Sequence, residues 1–480
     1  MNWGLEDIVR ATGGRLLYGA PQQRFDGIGI DSRSIDPGCL FVAIRGATHD
    51  AHKFLPQVVA KGVRGIVVQE QTGGIVLDHD VWKEQGVACV AVEDTTGALG
   101  ALAAFQRQRV QIPVVAVTGS NGKTTTRQMI ALVLARRYKT LTTQGNLNNE
   151  IGLPLTLFGL TPEHQAAVVE LGMNHPGEMD RLGAICKPTI GVFTNVGPAH
   201  LEFLGDVQGV ARAKGELLPH IESKGYALLN QDDEHVAALA NQATCAKLFF
   251  GTGSKADVRA ESIVEDPGGI TFQLILPRDR AEVRLSTPGR FMVYNALAAA
   301  AAGYVTEMET GEIKAGLEEF RPVQGRLTIK TTANGVHIID DTYNANPASM
   351  AAAIQTFKAS REAGRGFVVL GDMLELGAQA AALHYQVGEL AGTAGADKLY
   401  ACGDHAEDVL AGARHSGMDA GRLAVSSREE IAADLIHALK PGDWLLVKGS
   451  RGMAMELVVQ TVDQWARTVA GVPESRSTEK

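Results

Sequence analysis

The stretch "VVAVTGSNGKTTT", from Val114 to Thr126, combines a strand-like apolar run, a glycine turn and Gly-Lys-Thr-Thr at the start of a helical pattern. Gly119 and Gly122 can adopt backbone angles closed to other residues and let amides approach a phosphate chain. The helix that follows aims its N-terminal N–H groups and positive dipole end at the same point. Lys123 can then reach the β- and γ-phosphates, and the Thr124 hydroxyl can meet Mg²⁺. The common phosphate-loop spacing places a glycine five residues before Gly122, where this chain has Val117. The loop is therefore either a coincidence of strand, turn and exposed lysine or a tighter phosphate cradle, and its context favours the cradle.

Other candidates stand where apolar runs end. Glu170 closes "AAVVELG", where a carboxylate is costly unless paired, protonated or metal-bound; the alternative is a surface glutamate. His200 follows "TIGVFTNVGPAH" in the same layer, either as a functional group or as a hydrogen-bonded structural histidine. Asn295 precedes an alanine-rich helix, Arg326 lies on a linker, and Asp340 and Asp341 end "VHIIDD". These side chains offer an adenine edge, a phosphate fork and ribose acceptors, although the aspartates also suit an N-cap before "NPASMAAAIQTF". Lys214 in "ARAKGELL" reads as an ordinary solvated helix lysine.

The elements that must position these groups fall into three segments. Residues 1–108 alternate short β-like runs such as "CLFVAIRG" and "ACVAVED" with helices, forming a smaller N-terminal α/β domain. Residues 109–322 form a central phosphate-loop, parallel-sheet ATPase-like domain, and residues 323–480 a C-terminal Rossmann-like domain. Near-continuous apolar strands alternating with helices indicate an α/β fold with parallel sheets covered on both faces. In such sheets ligands collect at the carboxyl ends of the strands. Pro322 and Gly325 break the helix before the last segment, and the polar tail "AGVPESRSTEK" reads as disordered.

At 480 residues the chain exceeds one ordinary core, and a net charge of −9 without basic blocks disfavours nucleic acid and anionic membranes as partners. The five cysteines (Cys39, Cys89, Cys186, Cys245, Cys402) are scattered and odd in number, against a disulfide framework or zinc site and in favour of a reducing cytoplasm. "MNWGLEDIVRATGG" lacks the pattern of a signal peptide, and "ALAAAAAGYV" is too short to span a bilayer. A cytoplasmic protein without membrane insertion is expected.

Taken together, "TGSNGKTT", "GNLNNEIGLPLT", "DDTYNANPASM", "LGDMLELG" and "LVKGSRGMAMELVV" resemble the Mur ligases, ATP-dependent enzymes that extend the peptide of the cell-wall precursor. The likeness runs from about Asp31 to Glu456 and is strongest to members that join D-alanyl-D-alanine to UDP-N-acetylmuramoyl-tripeptide. It implies a cytoplasmic, ADP-forming ligase acting through an acyl phosphate, here expected to be a monomer. By motif position, Gly119, Ser120, Asn121, Gly122, Lys123, Thr124 and Thr125 hold the ATP phosphates, with Asn295, Arg326 and Asp341 also on the nucleotide. Thr124 and Glu170 help hold one Mg²⁺, and His200 helps hold a second. Lys214 matches the lysine that the family carbamylates into a carboxylate-like ligand. Asp31, Ser32 and Arg33 resemble the uridine-diphosphate site; Asn146 and Asn149 face the precursor, and Tyr343, Asn344 and Asn346 the dipeptide.

Two departures stand out: Phe291 and Met292 replace a frequent His-Asn pair before Asn295, and Ala51 replaces a common glycine near the uridine site. The readings weighed beside this one are a sister ligase with another amine acceptor, a small-molecule kinase, and an ATP-binding regulatory protein. Sites divided among three segments also imply hinge closure.

Overall fold

The computed structural model describes residues 2–46, 48–71, 74–266, 268–361 and 364–472. The polar tail expected to be disordered falls largely on residues 473–480, outside the described residues.

The first segment builds a five-stranded sheet in the order Arg15–Tyr18, Ala88–Val92, Gly65–Gln69, Leu40–Val42, Ile28–Gly29. It is parallel except where Arg15–Tyr18 runs against Ala88–Val92. The helix Thr95–Gln108, N-capped by Asp94, leads out of this sheet towards the central one. Its Phe105 ring lies 5.9 Å from Trp3, which also meets Phe158 of the central part edge-on at 6.0 Å.

The central sheet has nine strands, and Val114–Thr118 lies between Ile190–Phe193 and Ala166–Glu170. All these strands are fully buried, matching their β-branched, uninterrupted apolar sequence. The carboxyl ends of the three strands carry the phosphate loop, Glu170 and the segment leading to His200. The alanine-rich helix Arg290–Val305 is buried along most of its length, and Gly303 lets Val133 of the phosphate-loop helix Lys123–Ala135 approach closely.

One part of this sheet departs from the parallel pattern. Val258–Asp266, Gly269–Ile275 and Arg280–Leu285 form an antiparallel meander that extends the sheet. Their burial alternates where one face meets the core and the other meets solvent, which is why continuous apolar runs did not reveal them.

The last segment forms a six-stranded sheet in the order Thr328–Thr331, His337–Asp341, Trp444–Lys448, Gly366–Gly371, Lys398–Cys402, Leu423–Val425. Only Thr328–Thr331 is antiparallel. Its strand-end residues Asp341 and Lys448 face the central sheet's phosphate loop across a cleft. Among the described residues, no helix is long and apolar enough to cross a membrane.

Candidate active site

The cleft between the central and last segments has a volume of about 770 Å³. It is lined by every candidate residue read from the sequence except Gly119, Lys214, Asp340 and the turn Asp31–Arg33.

The phosphate loop takes its shape from its glycines and from the neighbouring strand end. Gly119 has φ 150° and Gly122 has φ 78°; a Cβ at the first would strike Thr194, and at the second the Asn295 amide oxygen. The Ser120 N–H donates to the Asn195 carbonyl (2.9 Å), the Asn121 N–H to Asn195 Oδ1 (2.8 Å), and Thr194 Oγ1 to the Asn121 carbonyl (2.7 Å). No side chain caps the helix Lys123–Ala135, so its first-turn amides are open to an anion. Lys123 Nζ folds back to donate to the Gly119 carbonyl at 2.8 Å. Burial draws its ammonium below the ordinary lysine value; Glu170 opposes that shift and Arg326 adds to it. A bound polyphosphate would relieve both burdens.

Glu170 is 2% exposed, and each of its carboxylate oxygens accepts one hydrogen bond. Thr124 Oγ1 donates to Oε2 and Asn148 Nδ2 to Oε1, each at 2.8 Å, while Arg127 Nε lies 3.5 Å from Oε2. A carboxylate and a hydroxyl side by side are the hard oxygen donors that Mg²⁺ prefers. Among the described residues no group of three or more His, Cys, Asp or Glu could hold a metal alone. That fits an ion completed by phosphate oxygens and water, the usual manner of Mg²⁺.

His200 lines the cleft, and its Nδ1 donates to Glu375 Oε2 of the last segment at 2.5 Å. Lys214 was unremarkable in the sequence but is 3% exposed, and no hydrogen-bond or ion-pair partner meets its ammonium among the described residues. Burial, and then repulsion from Lys123, push its pKa well below that of a free lysine. It therefore favours a neutral amine, and the reading of a solvated helix lysine is set aside.

Across the cleft, Asn346 joins the two segments directly: its Nδ2 donates to Asn121 Oδ1 at 2.8 Å. Asn346 is also the N-cap of the helix Pro347–Ser360, in reciprocal contact with Ser349. The N-cap role considered for Asp340 and Asp341 thus belongs to Asn346. Asp340 instead accepts from Thr342 Oγ1 at 2.7 Å. Asp341 accepts from the Leu327 N–H (2.9 Å) and from buried Lys448 (2.5 Å), so only its remaining lone pairs can meet a ribose. Arg326 stacks over Tyr343, its guanidinium carbon 4.0 Å from the ring centroid. Asn344 Oδ1 accepts from the Arg451 N–H at 3.4 Å.

Asn295 is buried beside the loop; its Oδ1 accepts from Thr126 Oγ1 at 3.1 Å, and its Nδ2 approaches Met292 Sδ at 3.8 Å. The departures Phe291 and Met292 both line the cleft. Asn149 caps the turn into the helix Gly152–Phe158 by accepting from the Gly152 N–H at 2.8 Å. Asp31, Ser32 and Arg33 lie apart on the N-terminal segment, where Lys61 donates to the Ser32 and Arg33 carbonyls at 2.8 Å each.

Sequence reasoning missed Arg127, Asn148, Lys448 and Glu375. Arg127 follows Lys123 at the one-turn helical spacing, and Lys448 ends a buried strand, so both carried a readable signal. Asn148 and Glu375 act through contacts made only in the fold.

The chain matches the Mur ligase middle domain over residues 117–303, the Mur ligase glutamate ligase domain over 325–451, and the Mur ligase family catalytic domain over 24–107. It is 38% identical to UDP-N-acetylmuramoyl-tripeptide–D-alanyl-D-alanine ligase of Escherichia coli (strain K12), covering 92% of this chain and 94% of that one. It is 33% identical to the ligase of the same name from Bacillus subtilis (strain 168), covering 95% and 96%. Among solved structures, MurF from Acinetobacter baumannii superposes with a TM-score of 0.87 at 34% identity, covering 97% of this chain and 99% of that one. MurF ligase from Thermotoga maritima in complex with ADP gives 0.80 at 26% identity, covering 92% and 98%.

Proposed function

The chain belongs to the Mur ligase family, and from that premise we propose that it is the ATP-dependent, ADP-forming ligase that joins D-alanyl-D-alanine to UDP-N-acetylmuramoyl-tripeptide. The observation that carries this reading is the direct bond from Asn346, in the dipeptide-side motif "DDTYNANP", to Asn121 of the phosphate loop. That contact brings the proposed dipeptide and phosphoryl sites into one cleft. In this reading residues 1–108 bind the uridine-diphosphate end through Asp31, Ser32 and Arg33, 109–322 bind ATP, and 323–480 close on ATP and the dipeptide.

The reaction runs in two displacements. The terminal carboxylate of the tripeptide attacks the γ-phosphorus, the bond to the β-bridging oxygen breaks, and ADP leaves behind an acyl phosphate. The dipeptide amine then attacks that carbonyl, and the tetrahedral adduct expels phosphate as the amide forms. Phosphoryl transfer asks mainly for positioning and charge neutralisation. Lys123 swings from the Gly119 carbonyl to the transferring phosphoryl group, and the open amides of its helix hold the phosphate oxygens. Asn295 and Arg326 orient the nucleotide, and Asn146 and Asn149 the precursor. Tyr343, Asn344 and Asn346 line the side from which the amine arrives. Docking of the two segments excludes water from the acyl phosphate.

Bound Mg²⁺, in two ions, would add neutralising charge across the transferred group, with Thr124 and Glu170 holding one and His200 and Lys214 the other. Lys214 supports this as a buried amine whose surroundings favour the neutral form over the ammonium, the neutral form being the one that combines with CO₂ to give an anionic carbamate.

The test is phosphate release from Mg²⁺-ATP with UDP-N-acetylmuramoyl-tripeptide and, in turn, D-alanyl-D-alanine, diaminopimelate, lysine and glutamate. Release dependent on the dipeptide, with a product heavier by one dipeptide unit, is expected. Release with another amine would move the chain to a sister ligase; release with none would favour a binding or regulatory role.

A further inference from the structure

His200 and Glu375 meet across the cleft from two different segments, and both stand in unusual backbone. His200 has φ 55° and Glu375 φ 62°, left-handed values that non-glycine residues adopt rarely. Such strain persists only where surrounding contacts fix it. At Glu375 those contacts are explicit. Asp372 accepts from the Asp404 and His405 N–H groups at 2.7 and 3.1 Å. The Met373 N–H donates to buried His384 Nε2 at 2.8 Å, the Leu374 N–H donates to Ser450 Oγ at 2.9 Å, and Leu376 is 2% exposed. The loop is anchored to the last segment on both sides of Glu375. It is also seated on the central one, where the Glu202 N–H donates to the Glu375 carbonyl at 3.2 Å and Gly377 abuts the Glu202 backbone.

A carboxylate only accepts, so the bond at 2.5 Å places a proton on His200 Nδ1. In the neutral ring Nε2 is then bare. His200 lines the cleft whereas Glu375 is not among the residues that line it. This is the arrangement in which an outer carboxylate fixes the tautomer and direction of a metal-binding imidazole. Here the carboxylate belongs to the segment that closes.

We propose that Glu375 is a positioning residue supplied by the C-terminal segment, which aims His200 Nε2 into the cleft only when the two segments are docked. The metal centre is thereby completed by closure, and phosphoryl transfer is withheld from the open form. The inference rests on the reading of His200 as a metal ligand.

The test is Mn²⁺ binding to the full chain in the presence of ADP, followed by electron paramagnetic resonance, with small-angle scattering of the same samples. Glu375→Ala is expected to weaken one of two classes of bound Mn²⁺ roughly 10–100-fold. The class held by Thr124 and Glu170 should be unchanged. Glu375→Gln keeps an acceptor for Nδ1–H and should bind as the parent does; since the side chain is 38% exposed, both variants should fold. His200→Ala should lose the same class. If His200→Ala loses it while Glu375→Ala binds normally, this inference falls alone. If His200→Ala retains both classes, the metal-ligand reading falls. A Glu375→Ala protein that scatters as an open form yet binds both classes normally would also overturn the proposal.

Discussion

The central segment is joined to its two neighbours by different chemistry. Towards the N-terminal segment the joint is aromatic and buried: Trp3, 2% exposed, packs on Phe105 and Phe158, and Arg109 lies over Trp3 and Phe105. Buried Arg107 adds bonds to the carbonyls of Cys186, Val110 and Lys187. Towards the C-terminal segment the named side-chain contacts are hydrogen bonds, Asn346 to Asn121 and His200 to Glu375, both at the cleft. Burying an aromatic side chain contributes about 1.5–3 kcal/mol and has no substitute in water. A hydrogen bond contributes about 1 kcal/mol net, because water replaces it on opening. Buried apolar side chains of the two segments, Leu204 and Leu376 among them, also belong to one cluster, so in the proposed reading the first joint holds while the polar contacts of the second part and re-form around ligands.

The largest expected effect lies at the floor of the second joint. Lys123→Ala should lower phosphate release on the order of 10³-fold, because charge at the transferred group loses its cation. Its thermal midpoint should stay near that of the parent, since Lys123 bonds only to loop carbonyls. An equal fall in both would make Lys123 a structural residue. Trp3→Ala should act in the opposite way, costing roughly 3–5 kcal/mol in urea unfolding while the folded fraction keeps its affinity for ADP. If ADP affinity collapsed instead, the two joints would be coupled and the contrast between them would fail.

Asn346→Ala probes the parting joint and should have a smaller effect. Loss of its N-cap should cost about 1 kcal/mol of stability. Loss of the bond to Asn121 should weaken ADP binding roughly fivefold, the equivalent of about 1 kcal/mol. Calorimetry with ADP measures the second quantity, and scattering should show less closure at a given ADP concentration. Undiminished ADP affinity would make the contact incidental to closure.

The same contrast explains what the sequence could convey. Gly119, Gly122, Lys123 and Thr124 are close in sequence and their chemistry is local, so type and spacing were enough. Glu170 and His200 were legible because a parallel sheet gathers its strand ends. Lys214 carried no local sign, because its burial depends on how the helix Val207–Gly215 docks. Glu375 was silent for the same reason: its partner is 175 residues away. Asp341 was read as a ribose acceptor from its type alone, and only the fold shows Lys448 and the Leu327 N–H already upon it. Partners between segments are the hardest to read, since neither side requires the other locally.

The smallest effect sharpens the contrast from the other end. Asp31 and Arg33 form a polar pair that closes within the N-terminal segment: both carboxylate oxygens accept from the guanidinium, and the Arg33 N–H adds a third bond at 2.9 Å. The side-chain bonds, followed by the backbone bond, lower the Asp31 carboxyl from 3.8 to about 2. A depressed carboxylate contributes stability above its unfolded value and loses it as pH falls through the folded one. The contribution of this exposed pair is therefore present above about pH 4 and gone below about pH 2. Arg33→Met keeps the backbone donor and removes the guanidinium, so a carboxyl NMR titration should find Asp31 raised partway towards 3.8. A uridine-diphosphate ligand that draws Arg33 to its phosphates should raise Asp31 in the parent protein in the same direction. If the ligand leaves Asp31 at about 2, the pair is only a turn-stabilising contact and Arg33 does not reach the phosphates. If Asp31 rises, this segment binds by breaking a contact within itself, whereas the closure proposed for the C-terminal segment makes contacts with its neighbour.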